Sequence, residues 1–274
     1  ISRLAAAYVE VIRNVPLLLQ LLFWYFAVLK SLPSPRDSVD LGLGAFLNIR
    51  GLVVPRPVFG PGSMLFDIAV VVAIVAIVVI HRWARKRQMA TGQQFPVFWT
   101  GLALIIGLPL IGLALAGFHV TFDMPELKGF NFVGGTTLEP EFVALLLGLT
   151  LYTASFIAEI VRAGIKAVSH GQTEAANALG LRGGYTLRLV VVPQAMRVII
   201  PPLTNQYLNL TKNSSLAVAI GYPDLVSVFA GTVLNQTGQA VEVIFITMLV
   251  YLTISLITSS LMNWFNLRMA LIER

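Results

Sequence analysis

Ile68-Ala69-Val70-Val71-Val72-Ala73-Ile74-Val75-Ala76-Ile77-Val78-Val79-Ile80 is an unbroken run of thirteen aliphatic residues. It lies within a longer apolar stretch, 65–81, which is followed by four basic residues, Arg82, Arg85, Lys86 and Arg87. Isoleucine and valine suit strands, but strands commonly hold about five or six residues, and this stretch is far longer. About 20 mostly apolar residues cross a bilayer as a helix, and in lipid a helix satisfies its own backbone polar groups. The stretch therefore reads as a membrane span.

Five further stretches read the same way. They are 14–29, fenced by Arg13 and Lys30, and 95–118, inside a longer segment without Asp, Glu, Lys or Arg. The others start at Glu141 and run past Ser155, begin near Pro193 and continue towards Ala219 with Lys212 as an interruption, and cover 243–267. Composition agrees: of 274 residues, 57% are hydrophobic and only 12% charged, with a mean hydropathy of +0.81. A soluble domain carries about 25% charged residues, so there is too little polar surface here for a soluble particle. Disordered, collagen-like and disulfide-scaffold chains are excluded as well. The expected fold is all-α, a polytopic helical membrane bundle, with 1–274 forming a single transmembrane domain of about six spans.

Orientation follows from Lys and Arg, which favour the cytoplasmic side of membrane loops. With six spans, one side holds Arg3, Arg13, Arg82, Arg85, Lys86, Arg87, Arg162, Lys166, Arg182, Arg188, Arg197, Arg268 and Arg274. The other holds Lys30, Arg36, Arg50, Arg56 and Lys128, and Lys212 lies inside span five. The first side is the cytoplasmic one. The net charge of +6 thus reads as loop charge rather than as a nucleic-acid surface. The opposite loops, 31–64, 119–140 and a stretch around 222–240, read as turns and extended segments, rich in Pro and Gly in the first of them. Gly134-Gly135 reads as a turn there, not a phosphate cradle.

Catalytic and metal patterns are missing. Cysteine is absent, so there is no thiolate ligand or nucleophile. No Gly-x-x-x-x-Gly-Lys-[Ser/Thr] loop occurs, so ATP is not bound through a P-loop. His81, His119 and His170 are scattered over separate loops, without His-Glu-x-x-His spacing, and no metal site is expected. The sequons at Asn209, Asn213 and Asn235 lie in or near a span and read as chance matches. The chain is not expected to be an enzyme.

The longest polar stretch between spans on the cytoplasmic side is 163–193. Within it, 173–179 reads as a short helix of small residues stopped by Gly180, and an exposed helix of this kind suits docking into a groove. Glu174-Ala175-Ala176, then Gly180, then Val190, Val192 and Pro193 stand at fixed intervals. This pattern resembles the EAA motif of the permease subunits of ABC importers, in which Glu-Ala-Ala is followed after three residues by Gly and after nine more by Ile-x-Leu-Pro. Three further segments are similar to polar amino-acid permeases: Tyr8 to Leu17, Ala158 to Gly164, and Lys212-Asn213-Ser214-Ser215-Leu216. That family usually has Gly-Thr where Asn14-Val15 stand here. The two spans between Leu65 and Phe118, and the long loop before them, resemble the general L-amino-acid importers, in which one more span precedes Tyr8; the first residue, Ile1, agrees with a missing start.

The resemblance implies a type I ABC importer permease fold in a bacterial inner membrane. It implies a second homologous permease, a cytoplasmic ATPase dimer holding ATP and Mg, a periplasmic amino-acid-binding protein and an amino-acid substrate; no cofactor is expected in this chain. Glu174, Ala175, Ala176, Ala178, Leu179 and Gly180 would form the ATPase-coupling helix. Span five carries Asn205, Asn209, Lys212, Asn213, Ser214 and Ser215, an unusual set for lipid. Asn205, Asn209, Lys212 and Leu216 recur at helical spacing and share one face of a helix opened by Pro201-Pro202. A membrane charge commonly faces protein or a water-filled cavity, so this face is a candidate substrate pathway. Lys212 snorkelling to the surface, or pairing with a partner carboxylate, is the alternative, and Asn and Thr also glue helices together. Glu159 and Arg162, three apart, are a candidate gate. A stand-alone secondary transporter or channel is the competing function. It would need coupling-ion carboxylates deep in the spans or an inverted repeat, and neither is found.

Overall fold

The structure, a computed structural model, describes residues 2–60, 63–93, 95–115, 117 and 120–269. Ile1, His119 and Arg274 lie outside the described residues, as does the side chain of Arg268. The helices are α1 (Ser2–Asn14), α2 (Leu17–Leu22), α3 (Ser63–Thr91), α4 (Val97–Leu115), α5 (Pro140–Lys166), α6 (His170–Ala178), α7 (Gly183–Thr186), α8 (Val192–Asn213), α9 (Leu234–Thr237) and α10 (Ala240–Met269). Among the described residues, five helical tracks are long and apolar enough to cross a membrane: Met64–Thr91, Val97–Leu115, Pro140–Lys166, Gly183–Ile220 and Ala240–Leu267. A sixth is made only if the broken pair Arg3–Asn14 and Leu17–Ser31, bent by 105°, counts as one span.

The chain divides into two compact units. The first comprises Ile1–Val39, Leu47–Leu52 and Leu138–Arg274. Its first expected span, 14–29, is corrected: Asn14 ends α1, and the apolar track starts at Leu17, beyond the break. The break has a local cause. Pro16 has no N–H, so the Ile12 carbonyl loses its helical donor. The Gln20 side chain replaces it, its Nε2 donating to Ile12 O at 2.8 Å and to Val15 O at 2.9 Å. Asn14 Nδ2 donates to Glu10 O at 2.7 Å, so the end of α1 is sealed by two side chains. Beyond the break, Leu17, Leu21, Tyr25 and Leu29 recur every four residues and pack with Ala144, Leu145, Ala217 and Ile220. Gly148 lets Leu21 approach α5, since a Cβ there would stand 2.5 Å from Leu21 Cδ2. Small residues at helix seams are the usual device where lipid offers no hydrophobic drive between helices. At the far end of this track, Tyr25 Oη donates to Glu141 Oε1 at 2.5 Å, and Lys30 Nζ lies 3.8 Å from the same oxygen.

Span five begins earlier than expected. Arg182 is extended, α7 starts at Gly183, and a π-helical turn over Leu187–Val191 leads into α8. Pro201 and Pro202 sit inside α8 and do not open it. At Ser214 the helix tightens to a 3-10 track, Ser214–Ile220, which changes the face of the residues after it. Leu216 therefore leaves the Asn205, Asn209, Lys212 row and packs on the Leu17 cluster. The 222–240 stretch, read as a loop, is largely helical: a π-helix over Ser227–Val233 runs into α9. Asp224 starts it, its Oδ1 accepting the Ser227 N–H at 2.9 Å. A polar residue three positions ahead of a helix's first free N–H is a cap, which the loop reading overlooked.

The second unit comprises Asp40–Phe46 and Val53–Thr137. It contains the α3–α4 hairpin, whose seam is again made of small residues. A Cβ at Gly112 would meet Leu65 O at 2.8 Å and Ala69 Cβ at 2.9 Å, and Ala73 is fully buried. The strands of the chain are short: β1 (Val39–Gly42), β2 (Ala45–Asn48), β3 (Gly51–Val54), β4 (Arg56–Phe59), β5 (Val120–Asp123), β6 (Glu126–Lys128), β7 (Asn131–Val133) and β8 (Thr136–Leu138). The segments read as turns and extended chain thus hold some regular structure within an otherwise helical protein. β4 and β5 are antiparallel, with Arg56 directly opposite Asp123 and their charges 3.4 Å apart. Opposed charges across a strand pair favour that register.

Candidate functional site

Helix α6 is an exposed element between two spans. Ser169 before it is extended, and Gly180 after it has φ +75°. Gly180 N donates to Asn177 O at 2.9 Å and Leu181 N to Ala176 O at 3.1 Å. This pair of bonds is a Schellman end, which places its left-handed residue where Gly180 stands. A Cβ at Gly180 would meet nothing within 4 Å. Among the described residues nothing meets bulk at Gly180, so a partner would feel it, while any other L residue there carries backbone strain.

The expected coupling residues divide by burial. Ala176 is 3% exposed and packs inward, so it seats the helix on its own chain. Glu174, Ala175, Ala178, Leu179 and Gly180 face outward, with Leu179 83% exposed. Gln194 Nε2 donates to Gln172 Oε1 at 3.2 Å, tying α6 to the start of α8. His170 Nδ1 lies 3.0 Å from Glu174 Oε1, one helical turn away. The result is a short helix held on one side and bare on the other, with an unshielded leucine at its end.

At the same end of α5, Glu159 receives Arg162 through Nε at 3.0 Å and Nη2 at 2.7 Å. Arg13 of α1 also reaches Glu159, at 3.9 Å, and lies over the Phe156 ring at 5.1 Å. Tyr8 Oη donates to Leu151 O at 2.6 Å. The Glu159–Arg162 pair is thus one part of a clasp that holds α1 across α5. Arg13 was overlooked in the sequence because its partner lies far along the chain.

The polar residues of span five are distributed over separate surfaces. Lys212 and Ser215 line a cleft of about 370 Å³ with Val226, Thr247, Met248 and Tyr251. Ser214 belongs to a second cleft, about 610 Å³, between α5 and α8, where Thr150, Thr153, Tyr207 and Thr211 interrupt apolar walls. Asn205 and Asn209, in the same α8 row as Lys212 but outside its cleft, are exposed, and Asn213 is half-buried. Two of the hydroxyls are turned back to the helix: Ser214 Oγ donates to Thr211 O at 2.7 Å and Ser215 Oγ to Lys212 O at 2.6 Å. The Tyr251 hydroxyl faces the Ser214 hydroxyl and the Asp224 carboxylate. Asp224 and Tyr251 were not singled out in the sequence; an acidic residue just beyond a polar span was the available signal.

Taken together, the described residues form a multi-pass helical membrane protein that displays a small exposed helix between two of its spans. The chain belongs to the family of binding-protein-dependent transport system inner membrane components, whose family model matches residues 1–271. It is 58% identical over 274 residues to the general L-amino acid transport system permease protein AapQ of Rhizobium johnstonii, covering all of this chain and 68% of that protein. It is 56% identical to the putative amino-acid ABC transporter permease protein YhdX of Escherichia coli, over all of this chain and 70% of that one. The glutamate/glutamine/aspartate/asparagine transport system permease protein BztB of Rhodobacter capsulatus is 42% identical, with 71% of its length covered. Among solved structures, the crystal structure of an amino acid ABC transporter with histidines shares the fold at a TM-score of 0.51 and 22% identity. That match covers 96% of this chain and 74% of the other.

Proposed function

We propose that this chain is the membrane permease subunit of an ATP-driven importer that carries L-amino acids across a bacterial inner membrane. A second permease completes the pathway, an ATPase pair in the cytoplasm hydrolyses ATP with Mg, and a periplasmic binding protein delivers the substrate. The observation that carries this reading is α6. Its outer face is bare, its inner face is anchored by Ala176 and Gln172, and its glycine end lets the chain turn back at once into span five. Such an element transmits force from a partner without carrying chemistry of its own. Glu174, Ala175, Ala178, Leu179 and Gly180 are its contact face. The cleft of Lys212, Ser215 and Tyr251, with the exposed Asn205 and Asn209, is the candidate stretch of the substrate path, where a cation and amide groups suit a zwitterion. The Glu159–Arg162 pair, braced by Arg13, is the candidate gate at the cytoplasmic end. The test is uptake of labelled L-amino acids by vesicles that hold the chain with its companion subunits. Uptake is expected only with ATP, the ATPase and the binding protein together. Uptake by the chain alone would establish a stand-alone transporter or channel instead.

A further inference from the structure

We infer that the basic end of α3 is a binding site for an anionic membrane phospholipid, held through its phosphodiester headgroup. Helix α3 has 29 residues, or about 43 Å at the usual rise, against about 30 Å of hydrocarbon. It therefore stands out of the apolar layer at one end. The level of emergence is marked by Trp83, whose ring meets that of Phe95 edge to face with centroids 5.4 Å apart, since tryptophans gather at the headgroup level. Arg82, Arg85 and Lys86 stand at that level, all exposed, and line a shallow depression along one helix face.

Nothing acidic compensates them. The sequence has no Asp or Glu between Asp67 and Asp123, and no ion pair among the described residues involves these three. Arg87 is used differently, its Nη2 donating to Gln93 Oε1 at 2.9 Å while its guanidinium lies over Trp83. Like charges three and four residues apart on a helix repel, so an anion between them relieves a cost. Lipid is favoured over free phosphate by what lies beneath. Val75, Val78 and Val79 continue the same helix face into the apolar layer and are all exposed. A headgroup on the cations leaves its acyl chains along that stripe. Basic clusters just outside a membrane helix on the cytoplasmic side attract anionic lipid.

The test uses the full chain co-purified with its ATPase and companion subunits in detergent, titrated with cardiolipin and followed by native mass spectrometry. The variant Arg82→Gln/Arg85→Gln/Lys86→Gln is expected to need at least roughly tenfold more lipid for equal occupancy. Arg82→Lys/Arg85→Lys, which keeps the charge, is expected to bind nearly as the parent does and guards against a misfolded triple variant. Arg36→Gln/Arg56→Gln, in the loop on the other side, is expected to change nothing. Unchanged occupancy in the triple variant overturns the proposal. So does displacement of the lipid by millimolar inorganic phosphate, which would make this a soluble-anion site. Loss of the ATPase subunit from the triple variant at unchanged lipid occupancy would make it a protein-docking patch, and also overturns it.

Discussion

Gln20 shows how one polar side chain decides a local geometry. It is 6% exposed within an otherwise apolar helix, and it holds two carbonyls that the break at Pro16 leaves open. A buried acceptor left unpaired costs about 1–3 kcal/mol. Gln20→Leu keeps the volume but removes both donors, so the unfolding temperature in detergent is expected to fall by several degrees, at about 2–4 °C per kcal/mol. Gln20 Oε1 is itself buried without a partner, and an unchanged temperature would show that losing this cost offsets the lost bonds. Gly180 makes a different point. Its φ of +75° disfavours other residues by about 1–2 kcal/mol, but Asn and Asp tolerate that region better than most. The space around it is open within the chain. Gly180→Val therefore tests backbone strain, and Gly180→Asn tests room for a partner. If α6 seats in an ATPase groove, both variants insert normally and both release the ATPase in co-purification. Retention by the Asn variant alone would leave only the conformational role. At Lys212, Leu is expected to lower uptake with assembly intact, and normal uptake kinetics would remove its cleft from the pathway.

Helix α6 has a burial pattern that chemistry can read directly. Ala176 is inward and Ala175, Asn177 and Ala178 are outward. Since the chain has no cysteine, single Cys residues at these positions report without background. Cys at 175, 177 and 178 is expected to react quickly with a maleimide and Cys at 176 slowly. Adding the ATPase is expected to protect Ala178→Cys; equal reaction at all four positions would mean that the helix is not formed. Elements like this one were legible because they carry their own punctuation. The small residues of α6 end in a glycine, and the run of α3 ends in charges. The break before α2 is signalled by Pro16, which the reading of 14–29 as one span passes over; what no local pattern shows is its seal, the bonds from Gln20 to residues eight and five positions back. The Tyr8 to Leu17 segment was read as the entry to one span. The helix after Asp224 was lost for a related reason: its polar, glycine-bearing sequence reads as loop until the Asp224 cap is seen. The strands of the long loops lack clean alternation, and partners such as Arg56 and Asp123 are 67 residues apart. The split of Lys212 and Ser215 from Ser214 between two clefts follows ordinary helical spacing, in which residues three apart share a face and residues two apart do not.

For the whole molecule, the decisive quantity is which end of each span faces the cytoplasm. On the six-span reading Lys and Arg stand thirteen against five; with Arg188 and Arg197 now inside the Gly183–Ile220 track the excess falls to eleven against five, and a bias of that sign is what orients membrane proteins in general. The functional reading depends on it, because α6 serves an ATPase only if it lies in the cytoplasm. Impermeant thiol reagents on intact cells test it. Ser38 is a poor position, since its Oγ donates to Pro35 O at 2.7 Å and accepts Asn48 Nδ2 at 3.0 Å, so a Cys there disturbs the loop it reports on. Leu43 is better, being 95% exposed and without a described side-chain partner, although its φ of +54° asks for Leu43→Cys to be checked for expression. Asn131, in the β6–β7 hairpin, is the second outer position. Cys at 43 or 131 is expected to react from outside, while Cys at Gln88 or Asn177 reacts only after the membrane is opened. Because 88 and 177 flank different pairs of spans, the four positions constrain one another. An even number of spans separates 43 from 131 and also 88 from 177, so each pair must label alike. Reaction of 177 but not 88 from outside would break the six-span count, and reversal of all four would invert the chain and remove α6 from the ATPase.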